Sequence, residues 1–249
     1  MKNRLAFFTL LAFLINSCAD NNSNTTIPKT KSLQERALEH VKSKLSMNNA
    51  EKFTMKIYNE HLDGDDKIDA IITVNRLEQA YEIAAKSRKT AKLAEIGFVG
   101  NYNYIFFYDG GLDLISPPTI IPSSAFGELK VDFKNITTAI HKDILIDFKL
   151  LNSSYRDYFT IINHSPIQVF QWEMYRNIGK DSTSALYFEY DEGTVGLAKD
   201  ILIYEGKIDN LSELKDIYKF NSKISKSESG KLIHRFMYFE NEGKYFTKK

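Results

Sequence analysis

Beyond residue 100 the chain is written in short apolar runs that alternate with polar residues. Leu129, Val131 and Phe133 interleave with Lys130, Asp132 and Lys134, and Ile144, Ile146 and Phe148 form another one-sided set. Further runs of this kind fall at 156–162, 167–174, 185–190, 200–207 and 233–239. A period of two places every second side chain on one face of a strand. Strands at close, regular spacing with polar turns between them predict an antiparallel β-sandwich or a barrel-like sheet. With one cysteine in 249 residues, such a fold relies on its core, and a chain that is 43% hydrophobic and 13% aromatic suffices for one. No internal repeat is evident at this level, which argues against a multi-blade propeller.

The segment before residue 100 is mixed. Ser32-Leu33-Gln34-Glu35 has the form of a capping box, and Leu33, Ala37, Val41 and Leu45 follow at four-residue spacing. A helix is predicted there, ended by Asn48-Asn49. Phe53, Met55 and Ile57, then Ile68, Ala70, Ile72 and Val74, predict two strands around a loop at 61–67. Leu77, Ala80, Tyr81, Ala84 and Ala91 predict a second helix over 77–94, with Lys86, Arg88, Lys89 and Lys92 read first as a solvated face and second as a patch for anionic lipid or polysaccharide. The expected fold is therefore α+β and mostly β: an N-terminal helix, a hairpin with an Asp-rich loop, a second helix, then the antiparallel region. The expected organisation is a leader at 1–17, a polar tether at 18–30, a helix/hairpin/helix module at 31–112 and the β region at 113–249, the last two open to being one continuous domain.

The leader has its own grammar. Lys2 and Arg4 precede an apolar run from Leu5 to Ile15, too short for a transmembrane helix and suited to a signal peptide. Ile15-Asn16-Ser17-Cys18 follows, and this resembles the lipobox of bacterial lipoproteins. The resemblance implies cleavage before Cys18 and lipid on its sulfur and amino group (palmitate among the acyl chains), hence a membrane anchor. Several acyl chains anchor stably where one does not. Ala19 stands where Asp would retain such a protein at the inner membrane, so the resemblance points to the outer membrane, with a Gram-positive surface lipoprotein as the alternative. Removing Lys2 and Arg4 leaves the mature chain close to neutral, which gives no electrostatic case for a nucleic-acid partner.

The most specific internal stretch is His61-Leu62-Asp63-Gly64-Asp65-Asp66-Lys67-Ile68-Asp69. Calcium requires six to eight oxygens, and carboxylates on alternate residues of a tight loop supply them. Asp63, Asp65 and Asp69 stand at loop positions 3, 5 and 9, with the Lys67 carbonyl at position 7. The stretch resembles the calcium loops of FG-GAP, VCBS and dockerin-type repeats. It departs at His61, where those loops have Asp, and at Asp66, where they have Gly. Two readings stay open: a single weak structural Ca²⁺ site, or a metal-free Asp-Gly hairpin held by side-chain-to-backbone hydrogen bonds.

No His-Glu-x-x-His, Gly-x-Ser-x-Gly, dinucleotide or P-loop motif is present, and His40, His61, His141, His164 and His234 are scattered singly. Trp172, the sole tryptophan, shares a strand face with Phe170 and Met174, and reads first as a core residue and second as a platform for a sugar ring. The expected function is a non-enzymatic envelope lipoprotein that binds an envelope protein or glycan, or supports assembly. The alternative is an envelope polysaccharide hydrolase, which would show two carboxyls about 5–9 Å apart in a cleft.

Overall fold

A computed structural model describes residues 31–217 and 223–247; Cys18, the leader and the tether lie outside them. Helix α1 (Leu33–Lys44) begins at the capping box read from the sequence: Ser32 Oγ accepts from the Glu35 N–H at 3.3 Å, and the Glu35 carboxylate accepts from the Ser32 N–H at 2.8 Å. The expected helix over 77–94 is two helices, α2 (Leu77–Lys86) and α3 (Thr90–Glu95). The Ser87 hydroxyl donates back to the Ala84 carbonyl, and Arg88 takes a left-handed conformation at φ 55°, which stops the first helix although the apolar spacing continues. Among the described residues no helix is long and apolar enough to cross a membrane.

The strands form two antiparallel sheets, neither closed into a barrel. The first contains β1 (Thr54–Glu60), β2 (Asp69–Asn75), β3 (Asn103–Asp109), and the short β4 (Leu114–Ile115) and β5 (Thr119–Ile120), both paired with β3. The second begins with β6 (Lys130–Lys134), β7 (Asp143–Leu150), β8 (Ser153–Ile162) and β9 (Ser165–Arg176). It continues through β10 (Ser184–Asp191), β11 (Asp200–Ile208), β13 (Leu232–Phe239) and β14 (Lys244–Phe246), with β12 (Ile224–Lys226) on β11. The two halves of this sheet meet at one corner, where β9 and β10 pair only through Arg176 with Ser184 and Tyr175 with Ala185.

Alternation along the strands makes three layers. Ile71, Ile105 and Phe107 of the first sheet pack on Ile144, Ile146, Phe148 and Phe159. The opposite face of β7–β9 offers Leu145, Tyr158 and Phe170, which pack on Ile201, Ile203, Phe236 and Tyr245 of the folded-back half. The β7 strand is thus covered on both sides, and its core reads Ile-Leu-Ile without a polar break. Helix α1 covers the outer face of the first sheet by laying Ala37 and Val41 on Ile72, Val74 and Phe106.

The layers are versions of one unit, which corrects the expectation of no repeat. Each is built on a meander, a path of four antiparallel strands, with β5 and β12 off the path in the first and third, and in each the first two strands are joined by an eight-residue loop: Glu60 pairs with Asp69, Lys134 with Asp143, and Asp191 with Asp200. Each loop is closed by an aspartate, and Asp69, Asp143 and Asp200 are all buried. The pentapeptide Lys-Asp-Ile-Leu-Ile occurs twice, at 142–146 and 199–203, entering β7 and β11. Homologous loops sit at one end of the molecule and touch in sequence: Lys142 N–H donates to the His61 carbonyl and Lys199 N–H to the Ile136 carbonyl.

Candidate metal centre and aromatic groove

The three closing aspartates do the same local work in different surroundings. A carboxylate buried without donors would be costly, so each accepts from backbone N–H groups of its own loop. Asp69 Oδ2 accepts from Leu62 N at 2.9 Å; Asp143 Oδ2 accepts from Ile136 N and Thr137 N at 3.0 and 2.6 Å; Asp200 Oδ1 accepts from Thr194 N at 3.3 Å. In the second and third loops a threonine hydroxyl completes the set: Thr137 Oγ1 donates to Asp143 and Thr194 Oγ1 to Asp200, at 2.6 and 2.8 Å. In the first loop that position is Asp63. A hydroxyl donor is replaced by a second carboxylate, and the loop accumulates negative charge where its relatives are self-satisfied.

The structure brings together the carboxylates singled out by their spacing. One ligand oxygen each from Asp63, Asp65 and Asp69 lies within 4.8 Å of the others. Oxygens around a shared calcium ion, each 2.3–2.6 Å from it, have separations of this size. Asp63 Oδ1 accepts from Asp65 N and Asp65 Oδ1 from Lys67 N, so each retains a second oxygen for a cation. Asp69 has both oxygens engaged, by Leu62 N and by Gly110 N. Burial pushes its carboxyl above the ordinary range; the two N–H donors oppose this, and Asp63 and Asp65 add to it. Among the described residues no lysine or arginine pairs with Asp63, Asp65 or Asp69. Lys67, expected to offer its carbonyl, points its ammonium toward the exposed Asp66 at 3.9 Å. The donor set is all oxygen and negatively charged, and fits a hard divalent cation.

Two further participants come from far along the chain. Asp109, at the end of β3, and His164 form a second group with Asp63, again within 4.8 Å. His164 Nδ1 lies 2.6 Å from Asp109 Oδ2. The turn that delivers it has positive φ at both Asn163 and His164, the geometry of a two-residue type I′ hairpin. Sequence spacing could not reveal this pair, which the layering of the sheets creates. The glycines after Asp109 have a steric role: a Cβ on Gly110 would lie 2.2 Å from the Ile68 carbonyl oxygen, and one on Gly111 2.0 Å from Asp65 Oδ2.

Trp172 is half-buried, between the two readings made of it. One side packs on Phe170 and Phe236, with ring centroids 6.0 and 4.8 Å away, and His234 stands edge-on at 5.3 Å. The rest lines an open groove of about 460 Å³ with Tyr155, Gln171, Glu173, Arg176, Leu186, Ile233 and His234. Glu173 is held by Arg176 at 3.2 Å and by the Tyr155 hydroxyl at 3.4 Å. Burial and the Glu173 carboxylate push the Tyr155 hydroxyl up, so it stays a donor at neutral pH. The groove therefore combines an aromatic face with planar polar groups. Glu173 is its one carboxylate, and that carboxylate is committed to its neighbours.

No protein-family model, curated protein or solved structure matches this chain.

Proposed function

We propose that this chain is a lipid-anchored protein of the bacterial cell envelope, held at the outer membrane through Cys18, that binds a glycan without turning it over. The groove beside Trp172 carries the reading. Sugar rings present flat C–H faces to an indole and hydroxyl pairs to planar amide, carboxylate and guanidinium groups, and Trp172, Gln171, Glu173 and Arg176 line one groove. Hydrolysis would need a second carboxyl across the bond, and the groove offers Glu173 alone. Calcium at Asp63, Asp65 and Asp69 would be structural, tying the first loop to the β3–β4 turn through Asp69 and Gly110.

Trp172 is the only tryptophan, so intrinsic fluorescence reports this groove directly. Titration with a panel of neutral and acidic envelope oligosaccharides should shift or quench the emission for at least one of them. By calorimetry, Trp172→Ala should weaken that ligand by about tenfold or more. Unchanged emission across the panel, or unchanged affinity in the variant, would refute the glycan reading. The anchor is tested separately, by palmitate incorporation and by release of Cys18→Ala from the membrane fraction.

A further inference from the structure

The loops that close the second and third meanders present bare aliphatic side chains to water. Ile140 is 85% exposed and Leu197 94% exposed, the two most exposed large hydrophobic residues among those described. They are equivalent: each stands three residues before the buried aspartate of its loop, Asp143 or Asp200. Val195, 54% exposed, lies two residues before Leu197 on the same loop. An isolated exposed aliphatic needs no explanation, but two at the same position of repeated, touching loops put apolar surface repeatedly at one end of the molecule. In the first loop this position is Asp66, and the aliphatic side chain that loop exposes is Ile68, at 50%.

The chain also leaves the described fold at this end. Arg36, in the first turn of α1, pairs with Asp113 at 2.6 Å. Asp113 lies in the β3–β4 turn, whose Gly110 N–H is bonded to Asp69 of the first loop. From there α1 runs away from the loops: His40, one turn on, contacts Ser116 and the Phe106 ring. Ser32 is therefore on the loop end, and an anchor at Cys18 draws that end toward the bilayer. The fourteen peptide steps between them reach no further than about 50 Å.

We infer that the tips of the second and third loops, Ile140, Val195 and Leu197, enter the interfacial layer of the membrane to which the chain is anchored, giving a second contact that fixes the orientation of the fold on the lipid surface. This rests on the anchored reading above. Aliphatic side chains at loop tips gain by leaving water at the headgroup–acyl boundary, and such a contact supplements acyl chains. The far end of the molecule, with the β9–β10 connection, then faces away from the lipid, and the Trp172 groove near Arg176 stays open to ligand.

The test uses the full chain, lipidated in a Gram-negative host and reconstituted in phosphatidylethanolamine–phosphatidylglycerol vesicles. Once Cys18 carries lipid no other thiol remains. Leu197→Cys, Ile140→Cys and, at the far end, Lys180→Cys can then each carry one environment-sensitive fluorophore. The expected result is a blue shift and quenching by lipid-borne nitroxide at 197 and 140, with a water-like signal at 180. Water-like signals at 197 and 140 in palmitate-bearing, vesicle-bound protein would overturn the inference and leave the anchor intact, pointing to a protein partner for the loops. A wild-type chain that takes up no palmitate would remove the anchor and this inference with it.

Discussion

Single side chains decide whether the first loop is a metal site. The substitution of a carboxylate for a hydroxyl at Asp63 gives this loop a charge that the Thr137 and Thr194 loops lack. Calcium should raise the melting temperature of the wild type, by the equivalent of about 2–3 kcal/mol at a hundredfold excess over Kd, and EDTA should reverse it. Gly111→Ala should weaken this response, because the new methyl would displace the Asp65 carboxylate it meets at 2.0 Å. Asp63→Asn should abolish most of it. A melting temperature indifferent to calcium in the wild type would show the loop to be a metal-free turn. Asp63, Asp65 and Asp69 were legible in the sequence because their spacing is local. Asp109 and His164 were not, since they reach the loop through strand register and a type I′ turn that delivers His164 from the next layer.

At the scale of elements, the meander is the unit, and its eight-residue loop is the part that must be satisfied. Thr137→Val removes the hydroxyl that donates to a buried carboxylate and should cost about 1–3 kcal/mol. Thr194→Val should cost less, because Arg235 also lies 3.3 Å from Asp200. Denaturant midpoints of the two variants check the order, and a larger loss for Thr194→Val would show that the two backbone donors to Asp143 outweigh Arg235. The strands were read well: runs at 156–162, 167–174, 185–190, 200–207 and 233–239 all lie within or overlap observed strands, because period-two alternation is a direct image of a layered sheet. The second helix was read too long, since the turn at Ser87–Arg88 comes from backbone conformation, which apolar spacing does not record. The repeat escaped notice because it survives in the buried aspartate, the strand it opens, one pentapeptide and a threonine shared by two of the loops, while most other loop residues differ between copies.

The whole molecule is a stack whose middle layer is buried on both faces, and charges caught in that layer set its response to pH. Asp157 on β8 accepts from Gln171 at 2.6 Å yet is pushed up to about 6 by burial; bonds from Gln171 and Gln168 oppose the rise and Asp147 adds to it. In the unfolded chain the same group titrates near 3.9. Between these values the folded state holds the extra proton. The contribution of Asp157 to stability therefore grows as pH falls from about 6 to about 4, and is constant outside that window. Asp157→Asn keeps the acceptor for Gln171 and removes the charge. It should stabilise the protein at pH 7 by roughly 2–3 kcal/mol and flatten this part of the pH dependence. Parallel stability–pH curves for variant and wild type would place the effect elsewhere.

Beside Asp157 in the same layer, Arg156 grips Asp147 with two hydrogen bonds of 2.5 and 2.8 Å. This pair has a consequence for assembly. Because residues 142–146 and 199–203 are identical, a collapsing chain holds two interchangeable keys for one lock: either segment presents the aspartate for a loop and the same three aliphatic residues for a core. They diverge at the next position, Asp147 in one copy and Tyr204 in the other. If β11 docked against β8 in place of β7, Arg156 would face a phenol and keep a buried, unanswered charge, at a cost of about 3–5 kcal/mol. One ion pair would thus disfavour a shuffled order of layers that the hydrophobic core alone would accept.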